Sequence, residues 1–284
     1  MKRLVSSFTF FIALGILMAP GFADAAVKPN TASKPVGYDI SYPQCGKKLP
    51  GSAAFVVIGV NGGTAANTNP CLAEQLAWAK KATKRSKTNE PKIQLYINTA
   101  NPGEKAREIA TWPTNNTDEM GFDTSTHNPY GQCRGANDMA CSWQYGWNRA
   151  VEAVLDRFMP AAQKADTSKT AKEYTWWLDV ETVNTWQAGS PGALARNTAS
   201  LEGAAAYLRS LEAAVGLYST AVQWGEITGN TNSTALQGLP NWRPSGSTLV
   251  NAVINCSASP LTQGGTVTFT QYVQDGIDKN YSCR

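Results

Sequence analysis

Trp176-Trp177-Leu178-Asp179-Val180-Glu181 is an apolar run that ends in two carboxylates two residues apart. Its aromatic and aliphatic residues read as a strand. A strand turns alternate side chains to one face, so Asp179 and Glu181 point the same way and Val180 the other. Two acids side by side at a strand end repel each other when both ionise, and this raises the pKa of one of them. A carboxylic acid kept protonated near neutral pH is a proton donor. A lone Asp-x-Glu is more often a helix cap or half of a loop ion pair; its weight here comes from the rest of the chain.

Comparable β-like runs lie at residues 36–42, 54–60, 93–98, 174–180, 214–218, 250–254 and 267–273, and helix-like stretches at 71–83, 143–158 and 194–211. Such alternation predicts parallel strands joined by crossover helices, an α/β protein. The length and the absence of a linker or internal repeat fit an irregular, single-domain (β/α) TIM-like barrel. The final third has few helix formers, so strands joined directly are expected there, and residues 98–137 read as a long loop. Barrels of this kind carry their reactive groups at the C-terminal ends of strands. Acids stand at that place in Gly37-Tyr38-Asp39-Ile40-Ser41, in the central pair, and after Gln271-Tyr272-Val273, where Asp278 follows. First and last strands are neighbours in a closed barrel, so Asp39 and Asp278 are expected to share one mouth with Asp179 and Glu181. Asp275-Gly276 reads as a turn.

Lys2-Arg3, the apolar run from Leu4 to about Pro20, and Ala23-Asp24-Ala25 have the three parts of a secretory signal peptide. Cleavage after Ala25 is expected, leaving residues 26–284 as one domain, secreted, cell-wall associated and without stable membrane insertion. The net charge is only +4 and no dense basic cluster occurs, which argues against nucleic acid as a partner. All six cysteines, Cys45, Cys71, Cys133, Cys141, Cys256 and Cys283, fall in the expected mature part, and an even count in an exported chain argues for disulfides. Roughly 15 pairings are open; the expected set is Cys133–Cys141, which closes a short loop, with Cys45–Cys71 and Cys256–Cys283. No cysteine pair has zinc-type spacing and His127 is the only histidine, so neither a metal nor a Ser-His-Asp or Cys-His machinery is expected. Proton chemistry falls to carboxylates, with no cofactor.

The ordered motifs resemble glycoside hydrolase family 25, the lysozyme-like N-acetylmuramidases. They are Gly37 to Ser41, Leu178 to Glu181, Val215-Gly216-Leu217-Tyr218-Ser219, Gln271-Tyr272 and Gly276-Ile277-Asp278-Lys279-Asn280. The chain is similar above all to a set of secreted actinobacterial barrel proteins related to that family. It shares with them Tyr-Pro-Gln-Cys (42–45), Gly-Val-Asn-Gly-Gly (59–63), Asn-Pro-Cys-Leu-Ala (69–73) and Asn-Thr-Ala-Asn-Pro-Gly (98–103). The resemblance implies an irregular barrel and a glycosidase acting on peptidoglycan or a related cell-wall glycan. In it Glu181 matches the proton donor, Asp179 its partner as nucleophile or as support for an oxazolinium formed by the substrate's acetamido group, and Asp39 and Asp278 the remaining acids. It places Tyr96, Tyr218 and Gln271 in the pocket and Trp242 as a wall aromatic; Trp78, Trp176 and Trp177 read as packing residues. After Tyr96 the family usually carries a His-Phe pair, whereas Ile97-Asn98 follows here. The alternative is a non-catalytic glycan-binding barrel. Either form is expected to be a monomer.

Overall fold

Eight strands of the described residues pair in chain order into a closed barrel. They are β1 (Gly37–Ile40), β2 (Val56–Gly59), β3 (Ile93–Asn98), β4 (Thr175–Asp179), β5 (Ala214–Tyr218), β6 (Pro240–Pro244), β7 (Thr266–Gln274) and β8 (Ile277–Ser282). The computed structural model describes residues 36–106 and 111–284, so the expected signal peptide, residues 1–25, lies outside the described residues. Pairing is parallel from β1 through β7 and antiparallel on both sides of β8. The irregularity therefore sits at the closure. β7 and β8 form a hairpin whose turn, Asp275-Gly276, has positive φ at both residues (58° and 72°), the geometry of a tight type I′ connection.

Helices cover the outside. α1 (Leu72–Ala82) follows β2. α2 (Met139–Glu152) is capped by the Asp138 side chain on the Cys141 N–H and continues through a π-helical stretch, Ala153–Phe158, to Met159–Lys164. α3 (Pro191–Ser210), α4 (Ala221–Thr228) and α5 (Leu249–Asn255) follow β4, β5 and β6. α2 and α3 touch backbone to backbone: a Cβ at Gly146 would lie 1.8 Å from the Ser200 carbonyl oxygen, and one at Gly203 1.9 Å from that of Trp143. Only glycine permits this approach.

Period-two alternation divides the core. Val56, Ile58, Leu95, Ile97, Trp176, Leu178, Val180, Val215 and Leu217 point outward into the helix layer. Phe55, Val57, Trp177, Tyr218, Trp242 and Phe269 fill the barrel's interior, where Phe269 lies 5.2 Å from Phe55 and 4.9 Å from Trp177, ring centre to ring centre, both edge-on. Burying such side chains contributes roughly 1.5–3 kcal/mol each. The expected packing roles of Trp176 and Trp177 hold, one in each layer.

Three readings of the sequence change. Residues 250–254, read as a strand, lie inside α5, which begins where Thr248 caps the Asn251 N–H; Val250 and Ile254, four apart, are exposed and Ala252 is buried. The sixth strand is instead Pro240–Pro244, whose prolines occupy its first and last positions, where a missing N–H costs least. Residues 277–282, read as a segment following the last strand, are themselves β8. The disulfides are Cys45–Cys71, Cys133–Cys141 and Cys256–Cys283, as expected. Among the described residues no helix is long and apolar enough to cross a membrane.

Candidate active site

Antiparallel closure places Asp39 of β1 directly opposite Asp278 of β8. Asp179, the last residue of β4, has Asn98 of β3 on one side and Tyr218 of β5 on the other. Beyond it Val180 continues the ladder to the Tyr218 carbonyl, which returns Glu181 to the face that Asp179 occupies. All four acids thus gather at the C-terminal mouth. The Tyr218 phenol reports the convergence: burial first, then the charges of Glu181, Asp179, Asp39 and Asp278, hold its proton well above the ordinary tyrosine range.

Asp39 is 6% exposed, with Oδ1 accepting from Gln271 Nε2 at 2.9 Å and Oδ2 from Asn280 Nδ2 at 2.7 Å. Burial, and next the Asp278 charge, raise its pKa well above 3.8, against the pull of those two amides. Asp179 is 4% exposed; its Oδ2 accepts from Asn98 Nδ2 at 2.6 Å. Burial raises its pKa well above 3.8, and the charges of Glu181 and Asp39 add to the effect. Glu181 is half-buried. Burial raises its pKa, opposed by hydrogen bonds from Gln223 and from Asp179. The contact between the two carboxyls thus raises Asp179 and lowers Glu181, and the two acids titrate as a pair. Burial also raises Asp278. Among the described residues none of the four acids has an ion pair.

Gln271 links Asp39 to Tyr218, whose hydroxyl donates to Gln271 Oε1 at 2.7 Å. Tyr96, raised above the ordinary tyrosine range mainly by burial, stands against Gly59, where a Cβ would meet its ring at 2.5 Å. Trp242 departs from the expected wall position. It is 2% exposed, its ring centre lies 4.4 Å from that of Tyr218 and 6.0 Å from that of Tyr96, and its Nε1 donates to Asn280 Oδ1 at 2.8 Å. It forms the floor beneath the two phenols and presents no open face to a sugar ring.

The motifs without acids hold the mouth in shape. Asn69 donates to the Gly59 carbonyl at 2.7 Å and to Gln75, and Gln75 donates to the Ser41 carbonyl at 2.6 Å, tying the ends of β1 and β2 to α1 beside the Cys45–Cys71 bond. Thr99 donates through N–H and Oγ1 to the Asp179 carbonyl, and Asn98 N–H to Asn61 Oδ1. Asn98, Asn280 and Gln223 are the residues that sequence reasoning missed. Counting by two from Tyr96 and from Asp278 would have placed both asparagines on the inner face. Gln223 carries no such signal, because it reaches the mouth from α4. Among the described residues no group of three or more His, Cys, Asp or Glu is arranged to hold a metal ion.

No protein-family model matches the chain, and no curated protein does. Among solved structures it is similar to a muramidase from Trichobolus zukalii, 17% identical over 87% of this chain and 92% of that one, TM-score 0.48. A glycoside hydrolase family 25 lysozyme from Aspergillus fumigatus is 16% identical over 87% and 93%, TM-score 0.49. A bacterial lysozyme from Streptomyces coelicolor is 13% identical over 88% and 93%, TM-score 0.47. These are likenesses of chain trace.

Proposed function

We propose that the protein is a secreted glycoside hydrolase that cleaves peptidoglycan or a related cell-wall glycan by carboxylate acid catalysis. The observation that carries the reading is the meeting of Asp39, Asp179, Glu181 and Asp278 at one barrel mouth with raised pKa values and, among the described residues, no ion pair to any of them. A structural acid is normally neutralised by a lysine or arginine; these are left able to hold and pass a proton.

In the proposed reaction the proton shared by the central pair moves to Glu181, the more accessible partner, which delivers it to the departing glycosidic oxygen as the C–O bond breaks. The same transfer leaves Asp179 anionic beneath the anomeric carbon. There it captures the oxocarbenium-like centre, or supports the substrate's acetamido oxygen in doing so. Water then adds to the anomeric carbon as its bond to Asp179, or to the acetamido oxygen, breaks, and the water's proton passes to Glu181. Asp39 and Asp278 add negative potential, and Tyr96, Tyr218 and Gln271 contact the sugar.

The test is release of reducing ends from isolated cell walls. Glu181→Gln is expected to lower the rate about 10²–10⁴-fold, the range for loss of a general acid, with the circular dichroism spectrum unchanged. Wall binding without release by the wild type would replace this reading with the glycan-binding barrel.

A further inference from the structure

On the outer face, away from the four acids, a cavity of about 370 Å³ lies against α3 and the start of α2. Its walls include Met139, Leu194 and Tyr130, and its polar groups include Glu202, Thr228, Thr231 and Ser233. Thr198 and Glu202 are four apart on α3 and so share a face. Glu202 is 7% exposed. Tyr130 donates its hydroxyl to Glu202 Oε2 at 2.5 Å, and Ser233 donates to Oε1. Among the described residues no lysine or arginine pairs with Glu202. Thr198, also buried, leaves its Oγ1 without a partner.

A carboxylate taken out of water is costly unless a positive charge accompanies it, and neutral hydroxyls offset only part of that cost. Here the acid borders a cavity with room for a small ligand, beside apolar walls that suit an aliphatic chain. We infer that this cavity binds a primary alkylammonium group of about the size of a lysine side chain, with Glu202 as its counter-ion and the Met139–Leu194 wall around its stem. The site is separate from the barrel mouth and stands whether or not the protein is a hydrolase. The competing role for Glu202 is a staple that ties Tyr130 and Ser233 to α3. A staple needs the two hydroxyls but gives no preference among ligands.

The experiment titrates the whole protein with n-pentylammonium, and in parallel with the neutral isostere n-pentanol, by chemical-shift perturbation. Saturable binding is expected in about the millimolar range, as suits a ligand of so few heavy atoms. The cation is expected to bind at least about tenfold tighter than the alcohol. Glu202→Gln, which keeps the shape and an acceptor, should remove that preference. Ala195→Phe, which fills the cavity while leaving Glu202 in place, should weaken both ligands about tenfold or more and decides the matter should Glu202→Gln unfold the protein. Equal affinity for cation and alcohol, pentylammonium binding that survives Ala195→Phe, or no saturable binding would each overturn the assignment.

Discussion

Asp179→Asn should make the protein more stable near neutral pH while removing the proposed activity. Asp179 is buried beside Glu181 and Asp39, and among the described residues its one amide donor is Asn98 Nδ2 at 2.6 Å. An asparagine of the same shape can keep its oxygen on Asn98 and turn its amide towards Glu181, supplying as a fixed donor what the aspartate supplies only when protonated. Because the folded pKa lies above 3.8, the folded state binds more protons than the unfolded state between those two values. The aspartate's contribution is then fully present below the unfolded pKa and is lost as pH rises through the folded pKa. The asparagine has no such loss. Its advantage should be close to zero at about pH 3, grow with rising pH, and level off above the folded pKa. Relief of a strained functional group typically gives about 0.5–2 kcal/mol. At about 2–4 °C per kcal/mol for a domain slightly smaller than this one, the Tm should rise by roughly 1–8 °C at pH 8. The assay is calorimetry of both proteins at about pH 3 and pH 8, on either side of the ordinary carboxylate range. A lower Tm for Asp179→Asn at pH 8, or a difference that does not change with pH, would refute the argument that burial and the neighbouring acids raise this carboxyl's pKa at a cost in stability.

Asn280→Leu should destabilise by roughly 2–6 kcal/mol in urea titration, since it strips a partner from both Asp39 Oδ2 and Trp242 Nε1, at about 1–3 kcal/mol for each buried group left alone. The same change should move Asp39 further up in pKa, because the Asn280 bond is one of the forces lowering it; an NMR titration of the Asp39 carboxyl checks this. Gly203→Ala should cost about 1–3 kcal/mol or more by overpacking against the Trp143 carbonyl. On the same helix Gly192→Ala, with no atom nearer than 3.4 Å, should be neutral or stabilising by up to about 1 kcal/mol, so the pair separates close approach from helix propensity in one thermal-melt experiment.

Much of the barrel was legible because its parallel strands carry two patterns at once. In Trp176 to Glu181 the outward residues meet helices, the inward ones meet the interior, and both are apolar until the strand ends in acids. Where that double signal fails, so does the reading. Pro240 to Pro244 has only Trp242 as a marker of the inner face, and its prolines argue against a strand until their terminal positions are known. Residues 250–254 carry a short apolar run that does not separate strand from helix; the Thr248 cap decides it. The acids of the mouth could be picked out because a strand-end carboxylate is conspicuous. Their amide partners are less conspicuous: Asn98 and Asn280 look like ordinary polar residues until counting by two puts them on the inner face, and Gln223 comes from a helix. Trp242 shows the converse limit: its inward face follows from alternation, but its depth depends on the Tyr218 ring lying above it.

The choice of amides around these carboxyls bears on what the mouth can do. Asp39 is held by Gln271 and Asn280, and Asp179 by Asn98, while Gln223 lies close enough to Glu181 to lower its pKa. An arginine in any of those places would orient the acid equally well, but a nearby positive charge lowers a carboxyl pKa by about 1–3 units and fixes it as an anion. An amide orients with a weaker preference for the charged form, so burial and the neighbouring acids keep the upper hand. The arrangement thus separates two demands that an ion pair would merge, holding a carboxyl in place and leaving it free to carry a proton. The interior aromatics sustain the cost. Phe55, Trp177, Trp242 and Phe269 pack beneath the acids, so the energy that closes the barrel is gained below the mouth and does not depend on neutralising the charges at its rim. This separation explains why removing a charge at the mouth should strengthen the fold, whereas removing an amide should weaken it.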